Sequence, residues 1–118
     1  EKLKVEEEIS VGVVNARYAK PIDANLLISQ ANSSQLIVTI EDHVLTGGFG
    51  SGVLESFNES NCRTPVERIG WPDRFIDHGS SVDDLRTFNG LDFDSIYNQI
   101  LTRYNALETR TAKAAGFR

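Results

Sequence analysis

A strand, a glycine-rich loop and a helix follow one another between Leu36 and Gly52, and no other run constrains the fold as strongly. Its sequence is LIVTIEDHVLTGGFGSG. The strand-forming residues Leu36 to Ile40 lead into two carboxylates and a loop, and Val53 and Phe57 then begin a helical apolar pattern. The glycines of the loop are Gly47, Gly48, Gly50 and Gly52. They permit a sharp turn from sheet to helix, so the run predicts an α/β unit.

Two further segments have the composition of strands. Closely spaced valines in residues 9–16 predict a mostly buried strand that ends near Ala16. Val66 to Ile69 predicts a short edge strand, because Pro65 lacks a ladder donor and polar residues alternate after it. Leu36 to Ile40 has little polar alternation, so we expect that strand to be central, with helices on both faces.

Helix-forming residues alone, without a cap, predict the first helix, and a cap or an apolar face marks the others. The helix after the glycine loop should end near Ser60. The other predicted helices are residues 1–8, a helix capped by Asp23 that ends near Gln30, a short helix capped by Ser80 or Ser81, and residues 92–107. Asp83 or Asp84 would complete a capping box. We expect residues 1–107 to form one domain and residues 108–118 to form a flexible basic tail, frayed or dependent on a partner beyond Leu107.

Composition narrows the class of protein. A chain of 118 residues with 40% apolar residues suits one globular domain. Its net charge of −5 argues against sequence-independent nucleic-acid binding, which needs a basic surface. Cys62 is the single cysteine and cannot form an internal disulfide. No apolar run has the length of a membrane span or signal segment, so we expect a cytoplasmic protein that contacts no membrane.

Four segments of the chain resemble one enzyme family, in order and in spacing. They are VGVVNARYAKPID, VTIEDHVLTGGFGSGVLE, IGWPDRFIDHGS and GLDFDSI. Together they are similar to the C-terminal domain of the 1-deoxy-D-xylulose-5-phosphate synthase family, and more distantly to the matching domain of transketolases and of 2-oxo acid dehydrogenase β subunits. The resemblance covers residues 6–103 and implies a three-layer α/β/α fold with a mostly parallel sheet.

The resemblance also implies a function for the full-length enzyme. Such an enzyme condenses pyruvate, after decarboxylation, with glyceraldehyde 3-phosphate for isoprenoid, thiamine and pyridoxal biosynthesis. Thiamine diphosphate and Mg²⁺ would be held by the preceding domains, and the third domain would support a homodimer. We therefore expect no catalytic, cofactor-binding or metal-binding residue on this chain, and no activity from the chain alone.

One strand of the family fold has no counterpart here. The resemblance implies that this first strand lies between the strands at 11–16 and 36–40. Both neighbours would then have unpaired ladder groups, whose burial without partners costs about 1–3 kcal/mol each. Three arrangements could satisfy them: direct pairing of the two strands, exchange of elements with another copy, or a longer chain.

The glycine loop has two interpretations. It could bind an anion at the start of a helix through Gly47, Gly48, Gly50, Ser51 and Gly52. Against this, the glycine spacing is not G-x-G-x-x-G, and Glu41 and Asp42 stand where an anion would approach. We favour a tight structural turn in which Ser51 is the helix N-cap.

The remaining candidate residues are charged or aromatic, and we expect them at interdomain or subunit contacts. They are Arg17, Lys20, Glu41, Asp42, His43, Trp71, Asp73, Phe75 and His78. A phosphate role for Arg17 and Lys20, and metal binding by the two histidines, are weaker alternatives. Trp71, Phe75 and Ile76 fit equally well as a partner-binding patch or as packing against the domain itself, although the loop that carries them should be packed.

Two main hypotheses about function result. The chain is a non-catalytic structural domain of a synthase, or it is a free-standing α/β module whose glycine loop binds a phosphate ligand. The second predicts stabilisation by anions, about 2.7 kcal/mol at 100 times the dissociation constant. Partner docking, as in the dehydrogenase β subunits, is a third possibility.

Overall fold

The computed structural model describes residues 1–78 and 81–116 as a mixture of helices and strands. In chain order the elements are α1 (Lys2–Glu7), α2 (Ala24–Asn32), β1 (Ile37–Val44), α3 (Phe49–Glu59), β2 (Val66–Trp71), α4 (Val82–Phe88) and α5 (Phe93–Gly116). Within the described residues, no helix is both long and apolar enough to cross a membrane.

The sheet consists of β1 and β2, which run parallel. Their register pairs Ile37 with Val66 and Ile40 with Ile69, and an irregularity follows before Val44 pairs with Trp71. Helix α3 connects the two strands, as parallel neighbours require a crossover. The parallel α/β architecture expected from the sequence is confirmed.

Helices cover both faces of this sheet. On one face, Ala31 of α2 and Val53 and Phe57 of α3 form the buried core. On the other face lies α5, whose Arg103 Nε is 3.4 Å from Glu67 Oε2 on β2. Side chains alternate between faces along a strand, so this arrangement gives three layers, α/β/α.

Local capping signals identified two helices correctly. Asp23 accepts a hydrogen bond from the Leu26 amide at the start of α2. Ser81 and Asp84 form a reciprocal capping box at the start of α4. The alternative cap, Ser80, lies outside the described residues, as do Gly79 and residues 117–118 of the predicted tail.

The predicted strand at residues 9–16 is wrong, because this segment has no regular secondary structure. Val11, Val13 and Val14 are exposed, and the exposed fraction of Val13 reaches 90%. Strand preference depends on packing against neighbouring strands, and β1 pairs only with β2 among the described residues. The valines therefore lack the partner that would order them.

The prediction that Leu36–Ile40 is a central strand is also wrong for the described chain. β1 has one strand neighbour, and its second edge is unpaired within residues 1–78 and 81–116. Ile40 is 58% exposed, because α5 packs on β2 rather than over the whole sheet. The apolar residues of Leu36–Ile40 predicted burial on both faces of the strand. That prediction is correct only for the face that packs against α3.

The C-terminal helix is longer than its apolar face predicted. A frayed segment was expected beyond Leu107, but α5 continues to Gly116. Alanines favour the helix here, and Thr109 and Thr111 donate side-chain hydrogen bonds to carbonyl oxygens four residues earlier. Residues 108–116 are exposed, so local propensity rather than packing maintains this part of the helix.

Replacing Phe57, which is 4% exposed, tests the location of the core. We expect Phe57→Ala to lower the free energy of unfolding by about 3–5 kcal/mol, because it removes a buried aromatic side chain from the core formed by α2 and α3. Phe75→Ala is the matched control, since Phe75 is fully exposed at 103%, and should change that free energy by about 0.5 kcal/mol or less. Urea unfolding measures the free energy of unfolding of both variants. If the two substitutions lowered it equally, the core would lie elsewhere.

Candidate functional site

A carboxylate occupies the start of α3. The N-cap residue, Gly48, has no side chain to pair with the free amides of the first turn. Glu41, which extends from β1, accepts hydrogen bonds from the Phe49 amide (2.9 Å) and the Gly50 amide (2.7 Å). The negative charge also lies at the positive end of the helix dipole. Two amides that could bind an external anion are thus paired with Glu41.

Gly50 allows the first turn of α3 to lie directly against the sheet. A Cβ atom at this position would lie 2.7 Å from Thr39 Oγ1 and 2.8 Å from Arg68 Cδ. By contrast, a Cβ atom on Gly52 would meet no atom within 4 Å. Glycine is therefore required for close approach at Gly50, and not at Gly52.

The side chain of Arg68 fastens the loop to the sheet. Its Nη1 donates to Ser51 Oγ (2.8 Å) and to the Leu45 carbonyl (3.2 Å). The Ser51 hydroxyl in turn donates to Leu45 O and accepts from the Gly47 amide. The prediction that Ser51 is the N-cap is wrong: the helix begins earlier, at Phe49, because Glu41 caps it from the strand.

Asp42 links β1 to β2 and to α4. Its Oδ1 accepts a hydrogen bond from Trp71 Nε1 at 2.7 Å, and its Oδ2 accepts one from Arg86 Nη2 at 2.9 Å. The Trp71 hydrogen bond, followed by that of Arg86, lowers the pKa of Asp42 below its usual 3.8. Asp42 and Trp71 were singled out from the sequence, whereas Arg86 was missed because nothing local marks its partner 44 residues away.

The other candidate residues are spread over the surface. Arg17 and Lys20 lie in the exposed segment before α2, and His43 is exposed near the end of β1. His78 and Phe75 line a cavity of about 340 Å³ between the loop after β2 and α4. Asp73, in the same loop, is exposed. The loop is only partly packed: Trp71 and Ile76 are half-buried, but Phe75 projects from the surface.

No metal site is assembled from these residues. Within residues 1–78 and 81–116, no group of three or more His, Cys, Asp or Glu side chains is placed to hold an ion. Glu41 and Asp42 instead bind donors of the protein itself. The arrangement suits a structural role for the glycine loop and for the strand ends around it.

Helix α1 is held against α5 by a cluster that the sequence did not reveal. The Tyr97 hydroxyl donates to Glu7 Oε1 at 2.8 Å, and Lys2 Nζ lies 4.3 Å from the centre of the same ring. The hydrogen bond to Glu7 raises the pKa of Tyr97 to about 12, with burial and nearby acidic groups adding to the effect. Glu7 and Tyr97 are 90 positions apart, so no spacing rule predicts the contact.

A family comparison agrees with this fold. The family described as "Transketolase, C-terminal domain" matches residues 1–96. The chain belongs to this family. As a transketolase C-terminal domain, it shares the parallel α/β architecture that residues 37–71 display.

Three curated relatives of this transketolase C-terminal domain are named 1-deoxy-D-xylulose-5-phosphate synthase. The relative from Acidobacterium capsulatum is 46% identical over 83% of the chain, and that from Caldanaerobacter subterraneus subsp. tengcongensis is 45% identical over 80%. The Aquifex aeolicus relative is 48% identical over 76%. The matched segments are 14–16% of the relatives' length, so the chain spans only a small part of them.

Two alanine substitutions in α3 should have opposite effects. Gly50→Ala should lower the free energy of unfolding by about 1–3 kcal/mol, because the new methyl group would overlap Thr39 and Arg68. Gly52→Ala should raise it by about 0.5–1 kcal/mol, because the site is open and alanine favours a helix. Equilibrium urea unfolding of both variants checks this; a stabilising Gly50→Ala would contradict the close approach.

The lowered pKa of Asp42 makes part of the stability depend on pH. This contribution is complete above the usual value of 3.8 and is lost as the pH falls through the lower pKa of the folded protein. The stability difference between wild type and Asp42→Asn should therefore shrink only in acid. Carboxyl ¹³C NMR should show the Asp42 pKa below 3.8, and Trp71→Phe should raise it. An Asp42 pKa at or above 3.8 in the wild type would contradict the hydrogen-bonded geometry.

Proposed function

We propose that this chain is the C-terminal, non-catalytic structural domain of a 1-deoxy-D-xylulose-5-phosphate synthase. The observation that carries the proposal is 45–48% identity, over most of the chain, to three proteins of that name. The enzyme would be a transketolase-type transferase that joins pyruvate and glyceraldehyde 3-phosphate for isoprenoid, thiamine and pyridoxal biosynthesis. Its chemistry would take place on preceding domains, in a cytoplasmic homodimer.

The described residues do not fit thiamine diphosphate or its Mg²⁺. The amides of Phe49 and Gly50, which could bind a diphosphate at a helix start, already pair with Glu41. A diphosphate there would also meet the negative charge of that carboxylate. This supports placing the cofactor outside the chain, and it weakens the alternative of a phosphate-binding module.

In this role the chain provides the enzyme with a folded domain and with a surface for contacts to neighbouring domains. Short polar contacts from Glu41, Asp42 and Arg68 fix the carboxyl ends of the strands. Several exposed residues that we predicted at domain contacts are left free to meet neighbours. They are Arg17, Lys20, His43, Asp73, Phe75 and His78. We assign them to contacts with the preceding domains or with the second subunit of the homodimer.

A chimeric enzyme tests the proposal. The matched C-terminal segment of the Acidobacterium capsulatum relative is replaced by the aligned residues of this chain, and 1-deoxy-D-xylulose 5-phosphate formation is measured. We expect kcat/KM within about tenfold of the parent, equivalent to a barrier change of about 1.4 kcal/mol. The chain alone should form no product and bind no thiamine diphosphate with Mg²⁺ in calorimetry.

Two controls make the result decisive. The parent enzyme without its C-terminal segment shows how much product formation depends on the domain. The chimera with Phe57→Ala should lose thermal stability, because the domain unfolds. A folded chimera without activity, beside an active parent, would overturn the proposal. Cofactor binding by the isolated chain would overturn its non-catalytic part.

A further inference from the structure

Helix α4 lies on the surface of the domain. All seven of its residues are described, and none of them is buried. Val82 and Phe88 are 59% and 74% exposed, and Leu85 and Arg86 are half-buried. Segments that bury few side chains open locally at a much lower cost in free energy than the core does. The helix can therefore move while the sheet stays folded.

Two side-chain contacts hold α4 in the observed position. Arg86 Nη2 donates to Asp42 Oδ2 on β1 at 2.9 Å, and Arg74 Nη2, from the loop after β2, donates to Asn89 Oδ1 at 3.0 Å. The Arg86 contact reaches the sheet itself. The side chains of Arg86 and Asp42 are 39% and 66% exposed, so water can solvate both charges when the pair separates.

The turn after α4 is suited to act as a hinge. Gly90 has a φ of +71°, which glycine adopts without strain. Its carbonyl accepts a hydrogen bond from Gln99 Nε2 at 2.8 Å, so the turn is attached to α5. Hinges are short segments at the ends of elements that absorb a change in φ and ψ. The turn can stay in place while the helix before it moves.

A cavity of about 340 Å³ lies between α4 and the loop after β2. Its apolar lining includes Ile76 from the loop and Leu85 and Phe88 from α4, and His78 and Asp77 add polar groups. Ile76 and Leu85 are half-buried in the observed position of the helix. Movement of α4 away from the loop would widen the cavity and expose both side chains.

We propose that α4 is a hinged flap over this cavity, held closed by the ion pair between Arg86 and Asp42 and opened about Gly90 while β1 and β2 stay paired. Asp42 is suited to hold the flap, because Trp71 Nε1 donates to its Oδ1 at 2.7 Å and keeps the carboxylate in place when Arg86 leaves. The inference does not rest on the proposed function, since it concerns contacts within the chain, and product formation by the chimera fails or succeeds independently of it.

Hydrogen–deuterium exchange of the 118-residue chain, followed residue by residue with NMR, tests the flap. The amides of Leu85 and Asn89 bond to the Ser81 and Leu85 carbonyls, so they report on α4. They should be protected about tenfold or more weakly than the amides of the β1–β2 ladder, because the flap opens without the sheet. Arg86→Gln should lower their protection by a further twofold to fivefold, about the effect of losing a partly exposed ion pair.

Two controls separate a flap from unfolding of the whole domain. Gly50→Ala, which we expect to destabilise the crossover, should speed exchange in the ladder and leave α4 unchanged, because the crossover stays folded when the flap opens. Arg103→Gln is the matched ion-pair control, since its pair with Glu67 joins α5 to β2 and is intact in both positions of the flap. It should leave α4 exchange unchanged. Acceleration of α4 by Gly50→Ala as large as that of the ladder would overturn the flap.

A double-mutant cycle tests the ion pair as the contact that holds the flap. Asp42→Asn and Arg86→Gln remove the same contact, so together they should lower α4 protection by less than the product of their separate effects. Circular dichroism checks that each variant is folded. Separate effects that multiply, or Arg86→Gln with the α4 protection of the wild type, would overturn the role of the pair.

Discussion

The fold depends on the hydrogen bonds from the first turn of α3 to the carboxylate of Glu41. They fix the helix start to the end of β1, and the contact at Gly50 then lets the helix lie directly on the sheet. The position of Val53 and Phe57 over α2 follows from that starting point, since both lie one or two turns further along α3. A charge-assisted pair of this kind is among the stronger hydrogen-bonded contacts in proteins.

Adjacent residues of β1 organise opposite faces of the sheet. Glu41 turns towards α3, and Asp42, one position further, turns to the other side and joins Trp71 and Arg86. The alternation of side chains along a strand makes this division possible. One short stretch at the carboxyl end of β1 therefore positions the helix after the strand and also α4, almost forty residues later.

Sequence reasoning succeeded where the signal is local. The caps at Asp23 and Ser81 act within three residues, and the glycine loop is a contiguous run, so α2, α4 and the β1–α3–β2 crossover were predictable. The helix start at Phe49 was missed because its cap comes from a strand. The contacts of Arg86 and Tyr97 join distant positions. Residues 9–16 show the converse: strong strand preference has no effect without a neighbouring strand.

The crossover from Ile37 to Trp71 has a consequence for how the chain folds. Among the described residues this stretch contains the whole sheet, the glycine loop and the buried residues Val53, Phe57 and Ile69. Its two strands pair in parallel across the whole α3 crossover, so the sheet can form only after that long connection has closed. Residues 9–18 and the exposed end of α5 bury few side chains, so we expect them to open locally before the crossover unfolds.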